Sequence, residues 1–507
     1  HWYEEKRQYL HALQAFENCA DHDSALRVIE EDAGILLAAM SPAEMLAGLG
    51  RCPVEALKRH PLAILVLMRR MFTGQQIPKM LELKALLEAA VAEHPELSAE
   101  ERGNLLGECD LIQSFLYYND ITRMSSLHRS ASRQMSRPAV TLRSGGSWTF
   151  GSPSVLMMYY RAPGELTKEQ AEMHECMPHY YKIANGHGRG AELVMDAEAA
   201  FMQGSLERAA ILMERACTCA GEAGQENMTL CCDFLALRLA LCGQVQPPYD
   251  FAAKRAELLR RHDTVLVHLL ESVAAYYYAL LGQMEQVPEV FREHELASVS
   301  YFGPCRPMMA MIEQQVWLAQ GEDVKVIAHS EALLAQCGAL HYGLVALHAR
   351  IQLAAACWRL GQKDEARAAL AQALTDAAPD RFWMPFAENY RWLAPLLEEH
   401  AADPLAAQSI ALGKACEARR QMLEKQSARP AAAAALTERE LALARLVAQR
   451  RTNREIAAAL YLSEGTVKQY INQLYAKLNI GGEPPPPAAP SWPLFLAQKT
   501  NHRLIGK

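Results

Sequence analysis

Basic side chains gather at one end of this sequence, and they define the first chemistry it could perform. Between Leu436 and Ile480 stand seven lysines and arginines (Arg439, Arg445, Arg450, Arg451, Arg454, Lys468, Lys477) against four glutamates (Glu438, Glu440, Glu455, Glu464), a balance of +3. The 507 residues together carry 51 Lys+Arg and 58 Asp+Glu, net −7, so the remainder holds −10. A small basic segment on an acidic body is the asymmetry of a protein that meets phosphates at one end. Other reactive residues give less. The 13 cysteines show no paired CxxC spacing, and the close groups Cys217/Cys219 and Cys231-Cys232 sit within helical patterns. They read as reduced, small core residues of a cytoplasmic protein. His174, Cys176, His179 and His187 lack the order of a metal-ligand set, and the histidines read as surface residues. Gly413-Lys414 has no Ser or Thr after it and no Gly five positions before, so it is not a phosphate loop. With no nucleophile motif, metal cluster or phosphate cradle, neither enzymatic activity nor a cofactor is expected.

The elements that position the basic residues are legible. Thr437 and Glu440 have the spacing of a capping box, opening a helix with Leu441, Ala444, Leu446 and Val447 on its apolar face. A short helix follows, capped by Thr452 or Asn453 and running to Leu460. Tyr461-Leu462-Ser463 makes a turn, and Ser463 caps a third helix from Glu464 to about Leu478. Ile456, Leu460, Leu462, Val467, Ile471, Leu474 and Leu478 share one core at helical spacing. Two short helices across a tight turn make a helix-turn-helix, whose second member enters the major groove.

Leu-Thr-x-Arg-Glu from Leu436, Asn-Arg-Glu-Ile-Ala from Asn453, Leu-Ser-x-x-Thr-Val-Lys from Leu462 and Leu-Tyr-x-Lys-Leu from Leu474 closely resemble the LuxR-type pattern. The resemblance implies that third-helix residues Lys468, Gln469 and Asn472 read base edges, Lys suiting guanine acceptors and the amides adenine. It implies that Arg454, Ser463, Thr466 and Lys477 hold phosphates and fix register. Glu440 and Glu455 are expected to serve as caps and scaffolding ion pairs. Three residues or groups depart from the pattern: Arg450 for a Gly, Tyr470 for a His, and Pro484–Pro487 where a fourth helix would begin.

Ahead of this head the sequence repeats. Gly204, Gly243, Gly282, Gly321 and Gly361 are 39, 39, 39 and 40 residues apart, each closing an apolar helix. Apolar residues recur five, nine and twelve positions later: Ala209, Met213 and Ala216 after Gly204, and Ala366, Leu370 and Ala373 after Gly361. Gly74 and Asn119 are expected to play the same part earlier, at turns requiring positive φ. Each hairpin bares an apolar face that only the next can cover. These units resemble tetratricopeptide repeats, lengthened by a few residues. The rhythm breaks at 136–165, a Gly/Ser/Pro stretch with Trp148 and Phe150, and again at Tyr301–Pro307 and Arg381–Phe386.

The fold class expected is all-α. A helical segment at 1–60 leads into helical repeats at 61–400, a linker at 401–435, the helix-turn-helix at 436–480 and an atypical Pro-rich tail at 481–507. A repeat array ahead of such a head resembles the MalT-like class of large regulators, which implies a sensor superhelix and an ATPase expected ahead of His1. The repeats are then expected to sense a small-molecule inducer, held by Trp148, Phe150, Tyr159, Tyr160 and Arg161 or by Tyr301, Arg306, Phe382 and Trp383, unless these rings only plug gaps between unequal repeats. The alternative is a protein-interaction scaffold signalled by a partner protein. Double-stranded DNA, an inducer and further copies of the chain on DNA are the expected partners. No membrane is expected: the best apolar run, Leu62–Met68, stops at Arg69-Arg70.

Overall fold

A computed structural model describes residues 1–243, 250–299, 301–427, 436–448 and 451–477. Among these residues the regular structure is helical, with no strand. The chain forms two compact units, His1–Arg419 and Arg420–Lys507. The opening segment and the repeats therefore share one unit. Arg450, the alanine run 431–435, Leu478 and the tail with Pro484–Pro487 lie outside the described residues.

The body opens with α1 (Trp2–Glu5), α2 (Tyr9–Asn18), α3 (His22–Glu31), α4 (Pro42–Arg51) and α5 (Val54–Arg59). Hairpins follow: α6 (Pro61–Thr73) with α7 (Ile77–Glu93), and α8 (Ala99–Ser114) with α9 (Ile121–Gln134). The irregular stretch contains only α10 (Val155–Tyr159) before α11 (Leu166–Ile183). Five units at the expected period come next. They are α12 (Ala191–Met202) with α13 (Leu206–Glu222), α14 (Glu226–Leu241) with α15 (Phe251–Arg260), and α16 (Thr264–Leu281) with the short α17 (Glu289–Arg292). The last two are α18 (Arg306–Gln320) with α19 (Asp323–Leu340), and α20 (Gly343–Arg359) with α21 (Lys363–Ala377). Then come α22 (Met384–Glu388), α23 (Tyr390–Glu398) and α24 (Pro404–Ser427). The head holds α25 (Glu438–Ala448), α26 (Asn453–Leu460) and α27 (Glu464–Lys477).

The five repeat glycines all take left-handed φ, between 68° and 85°. At Gly204 the hydrogen bonds show why. Its N–H donates to the Phe201 carbonyl at 2.8 Å and that of Ser205 to Ala200 at 2.9 Å, satisfying carbonyls that the ending helix leaves open. The residue five positions on is buried in each fully described unit: Ala209, Val287, Val326 and Ala366. Two earlier anchors differ from expectation. Gly74 has φ −82°, and Gln75 takes the left-handed position at +58°, shifting the same bonds by one residue. Asn119 keeps a negative φ and instead donates from Nδ2 to the Leu340 carbonyl at 2.7 Å.

The first helix of each unit carries the core. In α16 nearly every residue is buried. This helix, rather than Leu62–Met68, is the strongest candidate span among the described residues, although it carries His268 and Glu271. It is long and apolar enough to cross a membrane by length and composition, yet 78% of it is buried inside the fold. Segments far apart in sequence also meet. Gly343 N–H donates to Tyr160 at 3.0 Å and Trp383 N–H to Met202 at 2.9 Å. Tyr160 Oη donates to Asp380 at 2.7 Å.

Candidate nucleic-acid interface

Capping chemistry sets the three helices of the head. Thr437 N–H donates to Glu440 at 2.7 Å while Glu440 N–H donates to Thr437 Oγ1 at 3.3 Å. Thr452 and Glu455 form the same reciprocal box at the start of α26, so Thr452 rather than Asn453 is the cap. Tyr461 ends α26 in the left-handed region at φ 55°, and Ser463 Oγ accepts the Thr466 N–H at 3.1 Å to start α27. Leu436, Leu443, Ala444, Ile456, Ala457, Val467 and Leu474 make the buried core, with Leu446, Val447, Leu460, Leu462 and Ile471 packed against it. Leu436, Leu443 and Ala457 are the members that periodicity alone missed.

With Val467, Ile471 and Leu474 turned inward, α27 presents Lys468, Gln469 and Asn472 to solvent. Positions i, i+1 and i+4 lie on one stripe of a helix. That stripe holds one ammonium and two amides, the donors and acceptors that base edges in a major groove can pair with. Arg454 is exposed on α26. Ser463 and Thr466 are bound to each other at 2.8 Å as the cap of α27. Lys477, expected to hold a phosphate, is exposed and pairs within the head. Its ammonium donates to both Glu440 oxygens, at 3.1 and 2.9 Å, bracing α27 to α25. That ammonium, with the N–H and hydroxyl of Thr437, holds the Glu440 carboxyl down at about 2. Glu455 pairs with Arg451 at 3.2 Å.

The residues expected to hold an inducer are mostly used for packing. Trp148 is buried and stacks on Tyr159, ring centres 5.2 Å apart. Tyr160 and Phe382 are buried against each other at 4.9 Å. Phe150, half-buried, lies about 6.2 to 6.3 Å from the rings of Phe72, Tyr118 and Phe302. Arg161 donates to Asn119 at 3.2 Å; Tyr301 and Trp383 are half-buried and Arg306 is exposed. The structure does not gather these residues around one cavity.

The histidines go separate ways. His174 meets Asp196 at 2.8 Å, His187 meets Tyr180 at 2.7 Å, and His179 approaches Ser132 at 3.4 Å. His187 is buried, not on the surface, as is Cys176, which contacts His128. Burial pushes the His128 imidazole down to about 3, so it stays neutral between Ser114 and Cys176. A cavity of about 270 Å³ lies instead among α2, α3, α4 and α6, with Leu13, Leu26, Leu49 and Leu67 in its walls. Its charged lining includes Glu17 and Arg51, paired at 2.9 Å. No motif marks this site in the sequence, because its walls are ordinary apolar helix positions.

No curated protein matches the chain. Residues 434–484 match the family model described as bacterial regulatory proteins, luxR family. With three capped helices around one core, this C-terminal segment is a luxR-family helix-turn-helix domain, the DNA-binding module of transcription regulators.

Proposed function

We propose that the chain is a transcription regulator whose helical-repeat body senses a small-molecule inducer and controls the DNA-binding head. The observation carrying the DNA-binding half is the exposed stripe Lys468, Gln469 and Asn472 on a helix anchored by its opposite face. Arg454 contributes a phosphate contact and Ser463 and Thr466 position the N-terminus of α27, where backbone N–H groups favour anions. In this reading the protein works in the cytoplasm, in keeping with thirteen free cysteines.

The sensing half of the proposal is supported by the 270 Å³ cavity, a volume suited to a small organic molecule. Apolar walls beside one ion pair favour a ligand with a hydrocarbon or ring body and a single polar end. The packed rings of Trp148, Tyr159, Tyr160 and Phe382 then serve as the rigid frame of the body. The test is a thermal-shift survey of the full chain against a metabolite library, since a specific ligand raises Tm by mass action. A ligand that raises Tm in the parent and has no effect on Ala25→Leu, which fills the cavity, supports the reading. A ligand whose shift survives that substitution, or no shift across the library, removes the cavity from it. The partner-protein alternative rests on the repeat class alone.

A further inference from the structure

The first half of α24 lies along the turn ends of the repeat helices. Leu412 would meet a Cβ on Gly204 at 2.9 Å, and the Tyr390 side chain packs as closely on Gly413. Arg419 Nε donates to the Ala240 carbonyl at 3.4 Å. Between these contacts Cys416 Sγ stands 3.1 Å from Cys242 Sγ, although 174 residues separate them in sequence. Cys416 is buried and Cys242, at the end of α14, is half-buried, so Cys242 is the member of the pair nearer the surface. Both are free thiols.

We propose that Cys242 and Cys416 form a redox modification site, a reversible intramolecular disulfide that latches α24 to the repeat body. The oxidant class is a low-molecular-weight disulfide such as oxidised glutathione. Cys242, as thiolate, attacks one sulfur of that disulfide; the S–S bond breaks, and one glutathione thiolate leaves and takes up a proton. Cys416 gives its proton to solvent and attacks the Cys242 sulfur, expelling the second glutathione thiolate, which is protonated in turn. Two protein thiols are oxidised and one glutathione disulfide is reduced to two thiols. The second step needs no approach, because the sulfurs already touch.

The facing Cys416 sulfur and burial push the Cys242 thiol well above its usual range. Cys242 therefore rests protonated, and the linkage forms slowly near neutral pH and faster as pH rises. A second close pair provides a built-in comparison. Cys217, half-buried, is held down at about 7 by a hydrogen bond from Cys232 and is the more readily ionised thiol. The Cys242–Cys416 link rests on proximity, so it must form even though Cys217 reacts first.

The test treats the full chain with oxidised glutathione, blocks remaining thiols with N-ethylmaleimide, and maps the digest by mass spectrometry. A linked peptide joining Cys242 to Cys416 is expected, reversed by dithiothreitol and forming about tenfold faster at pH 8.5 than at pH 7.5. Cys242→Ser, at the half-buried position, abolishes that peptide without loss of helical content, and the parent's Tm rises on oxidation. Recovery of both cysteines as maleimide or glutathione adducts, or a linkage only between Cys217 and Cys232, overturns the proposal.

Discussion

Trp148 and Gly188 account for each other. A Cβ on Gly188 would stand 2.4 Å from the indole, and the residue's φ is +72°, a conformation that costs any L side chain. Gly188→Ala is therefore expected to lower stability by about 2–4 kcal/mol, through backbone strain and overpacking together. Denaturant unfolding of the full chain checks this, and a midpoint unchanged from the parent would show that the indole can move aside. Reading the aromatics as a ligand cradle followed from residue type, and type alone does not say whether a ring faces a void or a neighbour. The informative signal lay forty residues on, in the alternating glycines at 186, 188 and 190. Lys477 teaches the same lesson from the other side. Its charge suggested phosphate, but its partner Glu440 is 37 residues away and becomes visible only once α25 and α27 pack.

At the scale of elements, turn chemistry was the part most open to reading, because it is local. A glycine in the left-handed region followed at five residues by a buried small or branched side chain holds through the described units after Gly204. It slipped by one residue at Gly74, where Gln75 bears the strain instead. The first helices of the repeat units carry a second pattern. Glu198, Tyr276 and Gln315 stand six residues before their glycines, Arg238 five before, and all four are buried. Arg238 donates to both oxygens of Glu388 at 2.7 Å. Glu198 accepts the Leu156 N–H at 2.7 Å, yet burial raises its carboxyl from near 4.5 to about 7. The folded body thus holds this proton more tightly than the unfolded chain does. Stability from this group is full below about pH 4.5, falls by up to about 1.4 kcal/mol per pH unit, and levels off above 7. Glu198→Gln is expected to reduce the loss of Tm between pH 5.5 and pH 8; an identical pH profile would show that the carboxyl does not carry the proton.

Across the whole molecule, the head and the body differ in how much their sequences disclose. The head is a short run in which each cap and the helix it opens lie within a few residues of each other, and core and reading positions alternate along single helices, so nearly every element of it was legible. The body depends on contacts such as Gly343 with Tyr160, Trp383 with Met202 and Arg238 with Glu388, which join segments 150 residues or more apart. No local pattern encodes which repeat meets which, and the cavity among α2, α3, α4 and α6 likewise arises from packing between helices, all within Leu13 to Leu67. In the function proposed above, α27 reads DNA through Lys468, Gln469 and Asn472. Selection of bound sites from a random duplex library, run with the full chain and with Lys468→Ala at fixed salt, tests it most directly. The parent is expected to recover a defined sequence, and the variant to bind about 1–3 kcal/mol more weakly with its preference relaxed at one base position. Recovery of the same sequence with the same affinity and selectivity by Lys468→Ala would contradict the assignment of α27 as the reader.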